Sequence, residues 1–97
     1  MKNEKILIKA RKVLANNKYY KEMSEWYKEL HKKAPETPEE MIFICGDHVV
    51  LSNECSVSVI PGMYAELEES LSKDLTKAGL NWELYDMGTV HLYWEGQ

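Results

Sequence analysis

The chain has 97 residues, 44% of them apolar, and carries 16 acidic against 12 basic side chains for a net charge of −4. That is material for one small core, too little for a two-domain enzyme and too apolar for wholesale disorder. No apolar run approaches the roughly 20 residues of a membrane span. The apolar patch Ile6-Leu7-Ile8 is too short for a secretory leader, and two cysteines do not make a disulfide scaffold.

The charge is divided along the chain. Residues 1–34 hold nine Lys, Arg11 and four Glu, a net of +6, whereas residues 35–97 hold twelve acids against Lys73 and Lys77, a net of −10. The boundary is the Pro-punctuated turn Ala34-Pro35-Glu36-Thr37-Pro38. The expected organisation is a single domain over 1–97, with a basic helical segment (1–34) followed by an acidic βββαββ segment (35–97). No internal repeat or low-complexity tract is present.

Ile6, Leu7, Ala10, Val13 and Leu14 recur at helical spacing and predict an amphipathic helix over about 3–15. Asn16-Asn17 predicts a break, since Asn is a poor helix-interior residue. Tyr19, Tyr20, Met23, Trp26, Tyr27 and Leu30 predict a second helix over about 18–33. Its apolar stripe is rotated away from the first, so one straight helix cannot bury both against one surface. Either the chain bends at the asparagines, or the halves face different partners, a dimer among them.

Thr37-Pro38-Glu39-Glu40 has Thr as N-cap, Pro at N1 and Glu at N3, which predicts a helical turn before the β-branched run Met41–Cys45. Gly46-Asp47 suits a two-residue hairpin loop returning as His48–Leu51. Cys55, Val57 and Val59 alternate with Ser56, Ser58 and Ile60, predicting a third strand over 55–60. Tyr64, Leu67, Leu71, Leu75 and Ala78 form a helical stripe ending at Gly79. Leu80, Trp82 and Leu84 then alternate with Asn81, Glu83 and Tyr85. A turn at Asp86-Met87-Gly88, with Gly88 left-handed, returns the chain as Thr89–Trp94, with Val90, Leu92 and Trp94 on one face and His91 and Tyr93 on the other. The expected fold is α+β: a mainly antiparallel sheet of about five strands with helices on one face, in the order α-α-β-β-β-α-β-β.

The middle of that order, helix, three strands, helix, is similar in element order to the double-stranded RNA-binding domains. Those domains meet phosphates with lysines at the start of the last helix. Here the start reads Met63-Tyr64-Ala65-Glu66-Leu67-Glu68-Glu69, which repels phosphate, so their function is not carried over.

No P-loop, dinucleotide fingerprint, nucleophile elbow, zincin or paired CxxC motif is present, and no cofactor is expected. Cys45, Asp47 and His48 across a tight turn invite a zinc site with Cys55 and His91, or a Cys–His nucleophile. Nothing in the alternation fixes Cys55 on the same face, and so short a chain leaves little material for a pocket. The cysteines read as reduced, hence cytoplasmic. A Cys45–Cys55 bridge would need neighbouring strands.

Six Tyr and three Trp against one Phe favour side chains with an apolar body and a polar tip, the kind enriched where surface is buried on binding. Trp82 and Trp94 belong to the core; Tyr85 and Tyr93 lie on the opposite hairpin face with Glu83 and His91. The basic first helix could touch nucleic acid, but the −10 remainder opposes a polyanion within a Debye length. The expectation is therefore a non-enzymatic, acidic protein-binding module that inhibits or sequesters a basic protein partner. Immunity proteins, antitoxins and phage anti-defence proteins are similar in size and charge. Glu66, Glu68, Glu69, Glu83, Asp86 and Glu95 would supply the field, and Tyr85 and Tyr93 the contact area. The alternatives are a nucleic-acid-associated regulator using the basic helix and a small metal-binding protein.

Overall fold

The computed structural model describes residues 2–62 and 66–94. The element order is α1 (Asn3–Asn16), α2 (Lys18–His31), α3 (Pro38–Met41), β1 (Ile42–Cys45), β2 (His48–Ser52), α4 (Glu69–Lys77), β3 (Leu80–Asp86) and β4 (Thr89–Trp94). The strands form one antiparallel sheet in the order β1-β2-β4-β3, so two hairpins are joined through a β2–β4 pairing with Val50 opposite His91. All helices lie on one side of it. The core joins Ile6, Ala10 and Leu14 of α1 and Leu71 and Leu75 of α4 to Ile42, Val49, Leu51, Leu80, Val90 and Leu92 of the sheet. Each fully buried leucine of that set contributes about 2 kcal/mol by transfer from water.

The helix break falls at Asn17, a single extended residue (φ −73°, ψ 133°) that ends α1 and caps α2. Asn17 is fully buried. Its Oδ1 accepts from the Tyr20 N–H at 2.8 Å, and its Nδ2 donates to Asp74 Oδ2 at 2.9 Å and Ser70 Oγ at 3.2 Å. One side chain thus turns the chain and ties both helices to α4. The turn at Thr37 is the capping box read in the sequence, with Thr37 and Glu40 bonded reciprocally. Arg11 secures the next junction: Nε donates to the Ile42 carbonyl at 2.9 Å and Nη2 to the Glu39 carbonyl at 3.0 Å.

The sheet has four strands rather than five. Residues 53–62 bury Val57, Val59 and Ile60 as the alternation requires, but form no ladder. Asn53 takes the ladder's place: its Oδ1 accepts from the Val59 N–H (2.7 Å), the Ile60 N–H (3.1 Å) and Ser58 Oγ (3.1 Å), while Nδ2 donates to the Met87 carbonyl at 2.9 Å. The last helix also starts later than its stripe suggests, because Glu68 caps it by accepting from the Leu71 N–H; Tyr64 lies outside the described residues. At the final hairpin Gly88 is not left-handed. Asp86 Oδ1 makes the turn instead, accepting the Gly88 N–H at 2.9 Å. On the outer strand β3, Asn81 Oδ1 accepts the Trp82 N–H at 2.8 Å.

Gly46 and Gly79 do require positive φ, 60° and 83°. A Cβ on Gly46 would meet nothing within 4 Å, but one on Gly79 would stand 2.8 Å from the Trp94 ring. Gly46→Ala is expected to lose about 1 kcal/mol from the backbone alone. Gly79→Ala should lose roughly twice that, because the ring must also move. Urea midpoints at unchanged slope measure both; equal losses would show that Trp94 yields freely.

The segment between α2 and α3 is anchored to the irregular loop. Glu36 Oε1 accepts from both the hydroxyl and the backbone N–H of Ser56, the latter at 2.7 Å. These bonds, the hydroxyl first, hold the Glu36 carboxyl below its ordinary value of 4.5. A carboxyl lowered on folding stabilises at pH above its unfolded value and loses that contribution as pH falls through the folded one. Glu36→Gln is therefore expected to be less stable than the parent at neutral pH, with the two converging on acidification below 4.5. Denaturation midpoints from pH 7 to pH 3 test this, and a gap independent of pH would refute it.

Candidate protein-binding face

Side chains alternate across a strand, so burying one face of β1–β4 leaves the other to face away from the helices. That open face carries Phe43 and Cys45 from β1, His48 and Val50 from β2, His91 and Tyr93 from β4, and Glu83 and Tyr85 from β3. Tyr85 is 69% exposed, Tyr93 41% and Phe43 39%. Val50, at the centre, is buried by its neighbours on this side and is not part of the core.

The register brings three rings into a ladder. The His48 and His91 rings stack with centroids 4.1 Å apart and planes 14° apart, and Tyr85 stacks on His91 at 4.8 Å and 16°. A break in register between Leu84 and Asp86 lies at Tyr85. Beside the ladder lies an open groove of about 430 Å³ walled by Phe43, Cys45, Val50 and Thr89 with the three rings. The four strands contain no Lys or Arg; their charged residues are Glu83 and Asp86, and Asp47 sits in the β1–β2 turn.

The eight residues expected to bind a partner divide between two places. Glu83, Tyr85 and Tyr93 share the open face, with Asp86 at its hairpin end. Glu66, Glu68 and Glu69 belong to the start of α4, in the helical layer behind the sheet, and Glu95 lies outside the described residues. Two of the α4 glutamates are engaged in the fold: Glu68 Oε1 accepts from the Leu71 N–H and Ser70 Oγ, and Glu69 pairs with Lys73 at 3.1 Å. Tyr19 and Tyr20 of the second helix are engaged too, donating to the carbonyls of Ser58 and Glu36. Burial raises both phenols above their ordinary value.

Cys45 and His48 face each other on the open side, whereas Cys55 packs against the core, where burial raises its thiol. Both cysteines are free. The parallel His48 and His91 rings direct their in-plane lone pairs alongside one another rather than towards a shared point. Among the described residues no group of three or more His, Cys, Asp or Glu could hold a metal ion.

The lysine-rich helices do not close over the acids. Among the described residues the ion pairs are Glu25–Lys28 and Glu69–Lys73, each within one helix. Lys5 and Lys12 are exposed on α1, whereas Lys9 is half-buried with its Nζ over the Trp94 ring, 5.2 Å from the centroid. Lys9 and Lys12 also line a shallow groove with Lys77 and Asp74 of α4. No helix among the described residues is long and apolar enough to cross a membrane. No family model, curated protein or solved structure matches the chain.

The ring ladder is what the sequence reading missed. Alternation puts His91, Tyr85 and His48 on outward faces, but their meeting depends on the β2–β4 register, set by residues about 40 apart in the chain.

Proposed function

We propose that this chain is a non-enzymatic binding module that receives a basic protein partner on the open face of its sheet and occludes that partner's working surface. The observation that carries this is the combination of exposed aromatic rings and carboxylates on a face whose strands hold no cation. Aromatic area supplies contact energy, and the unneutralised acids supply steering. Lys9 of α1 reaches the sheet from the helical side, its Nζ 5.2 Å from the centroid of the Trp94 ring at the end of β4. A partner approaching the open face meets Glu83 and Asp86 with no Lys or Arg on the strands beside them, the α1 lysines lying on the helical side.

The test is a titration of isotope-labelled protein with a mixed Lys/Arg peptide. Shifts should gather at Phe43, Val50, His91 and Tyr93, and affinity should fall severalfold between low and physiological salt. Shifts confined to α1 or α4, or an affinity indifferent to salt, would refute the assignment.

A second reading, a nucleic-acid-associated regulator, is favoured by one observation: Lys9, Lys12 and Lys77 line one groove, and among the described residues none of the three makes an ion pair. A gel shift at low salt that is lost in the Lys9→Ala/Lys12→Ala variant would support it, and no shift would remove it.

A further inference from the structure

We infer that the ring ladder selects arginine: the open face takes a partner's guanidinium in preference to a lysine ammonium. This rests on reading that face as the docking surface for a basic protein. His48, His91 and Tyr85 stand on three neighbouring strands with adjacent planes within 16° of each other, so the inner faces cover one another and the ladder offers a flat stacking surface at the outer face of its end ring. Tyr85, the end ring at the β3 side, is 69% exposed and needs no rearrangement to be covered. A guanidinium is planar, weakly hydrated and stacks on such a face; an ammonium is a compact, strongly hydrated point charge that gains less there.

The carboxylates complete the fit. Glu83 is directly opposite His91 in the β3–β4 register, and Asp86 follows Tyr85 in the chain. A stacked guanidinium keeps its N–H donors in its own plane, free to bond sideways to an acid while its face lies on a ring. Asp86 Oδ1 is held by the Gly88 N–H. Among the described residues neither Glu83 nor Asp86 makes an ion pair. A nucleobase could also stack on the ladder, but its phosphates would meet Glu83, Asp86 and Asp47 with no strand cation to offset them.

The experiment compares labelled oligoarginine and oligolysine peptides of equal length by fluorescence anisotropy at low salt. Oligoarginine should bind about fivefold tighter or more, the size of one partly exposed cation–π contact. Tyr85→Ala should abolish that preference, leaving oligolysine binding nearly unchanged, and Tyr85→Phe should restore it. These side chains are exposed, so near-ultraviolet circular dichroism serves to confirm folding. Equal affinity for both peptides, with binding still mapped to the open face, overturns the arginine inference and leaves the basic-partner reading standing. Binding of neither peptide overturns both. A preference that survives Tyr85→Ala, or a labelled single-stranded oligonucleotide that by itself binds the open face, overturns the inference as well.

Discussion

Asn53→Ala is expected to lower the stability of the domain by about 3 kcal/mol. The Asn53 Oδ1 is the acceptor for the N–H groups of Val59 and Ile60, residues 0% and 5% exposed. Alanine leaves both donors unpartnered in a site with no ladder to receive them, at about 1–3 kcal/mol each, partly relieved where water can enter. It also removes the donor to the Met87 carbonyl that ties the loop to the β3–β4 turn. For a chain of this length such a loss lowers the melting temperature by roughly 10–20 °C. Asn53→Asp keeps the acceptor and loses the donor, so it should cost about 1 kcal/mol. Thermal and urea unfolding of the pair separates the two roles. An alanine variant within about 0.5 kcal/mol of the parent would mean that the loop repacks without its asparagine.

Asn17→Ala is expected to be of similar size, about 3 kcal/mol, for a different reason. Losing the N-cap costs about 1 kcal/mol. The remainder comes from the Asp74 carboxylate, which loses a donor at 2.9 Å in a half-buried position. Asn17→Asp makes a sharper test. It keeps the cap but sets a second carboxylate against Asp74, raising the acid pKa of the pair on folding. Its deficit should be greatest at neutral pH and shrink as pH falls, the reverse of the Glu36 behaviour. A deficit that grows on acidification would show that Asp74 is not the partner that matters.

Much of the fold was legible because local chemistry dictated it. Asn17 broke the helices where two apolar stripes disagreed in direction, Thr37 and Glu40 formed their box, and Gly46 took the positive φ of a tight hairpin. Residues 55–60 were misread as a strand because alternation reports burial, not hydrogen bonding. Val57 and Val59 are inside, yet the partner of the Val59 and Ile60 amides is the Asn53 side chain, which no periodicity reveals. Gly88 was misplaced for a related reason: Asp86 satisfied the turn without a left-handed residue. Of the candidate site, the outward direction of Glu83, Tyr85 and Tyr93 followed from strand period alone. The separation of Glu66, Glu68 and Glu69 from them did not, since it depends on which side of the sheet α4 crosses.

The outer edges of the sheet bear on how a partner can attach. An incoming strand would have to extend β1 or β3, and each is already obstructed. On β1, only four residues long, Arg11 occupies the Ile42 carbonyl; on β3, Asn81 folds back onto the Trp82 amide. An edge that is short, as β1 is, or that has an outward amide already taken, as β3 has, is a poorer template for the pairing by which exposed strands polymerise into fibrils. Recruitment through main-chain pairing would first have to break those bonds. Attachment by side chains across the flat of the sheet breaks none of them.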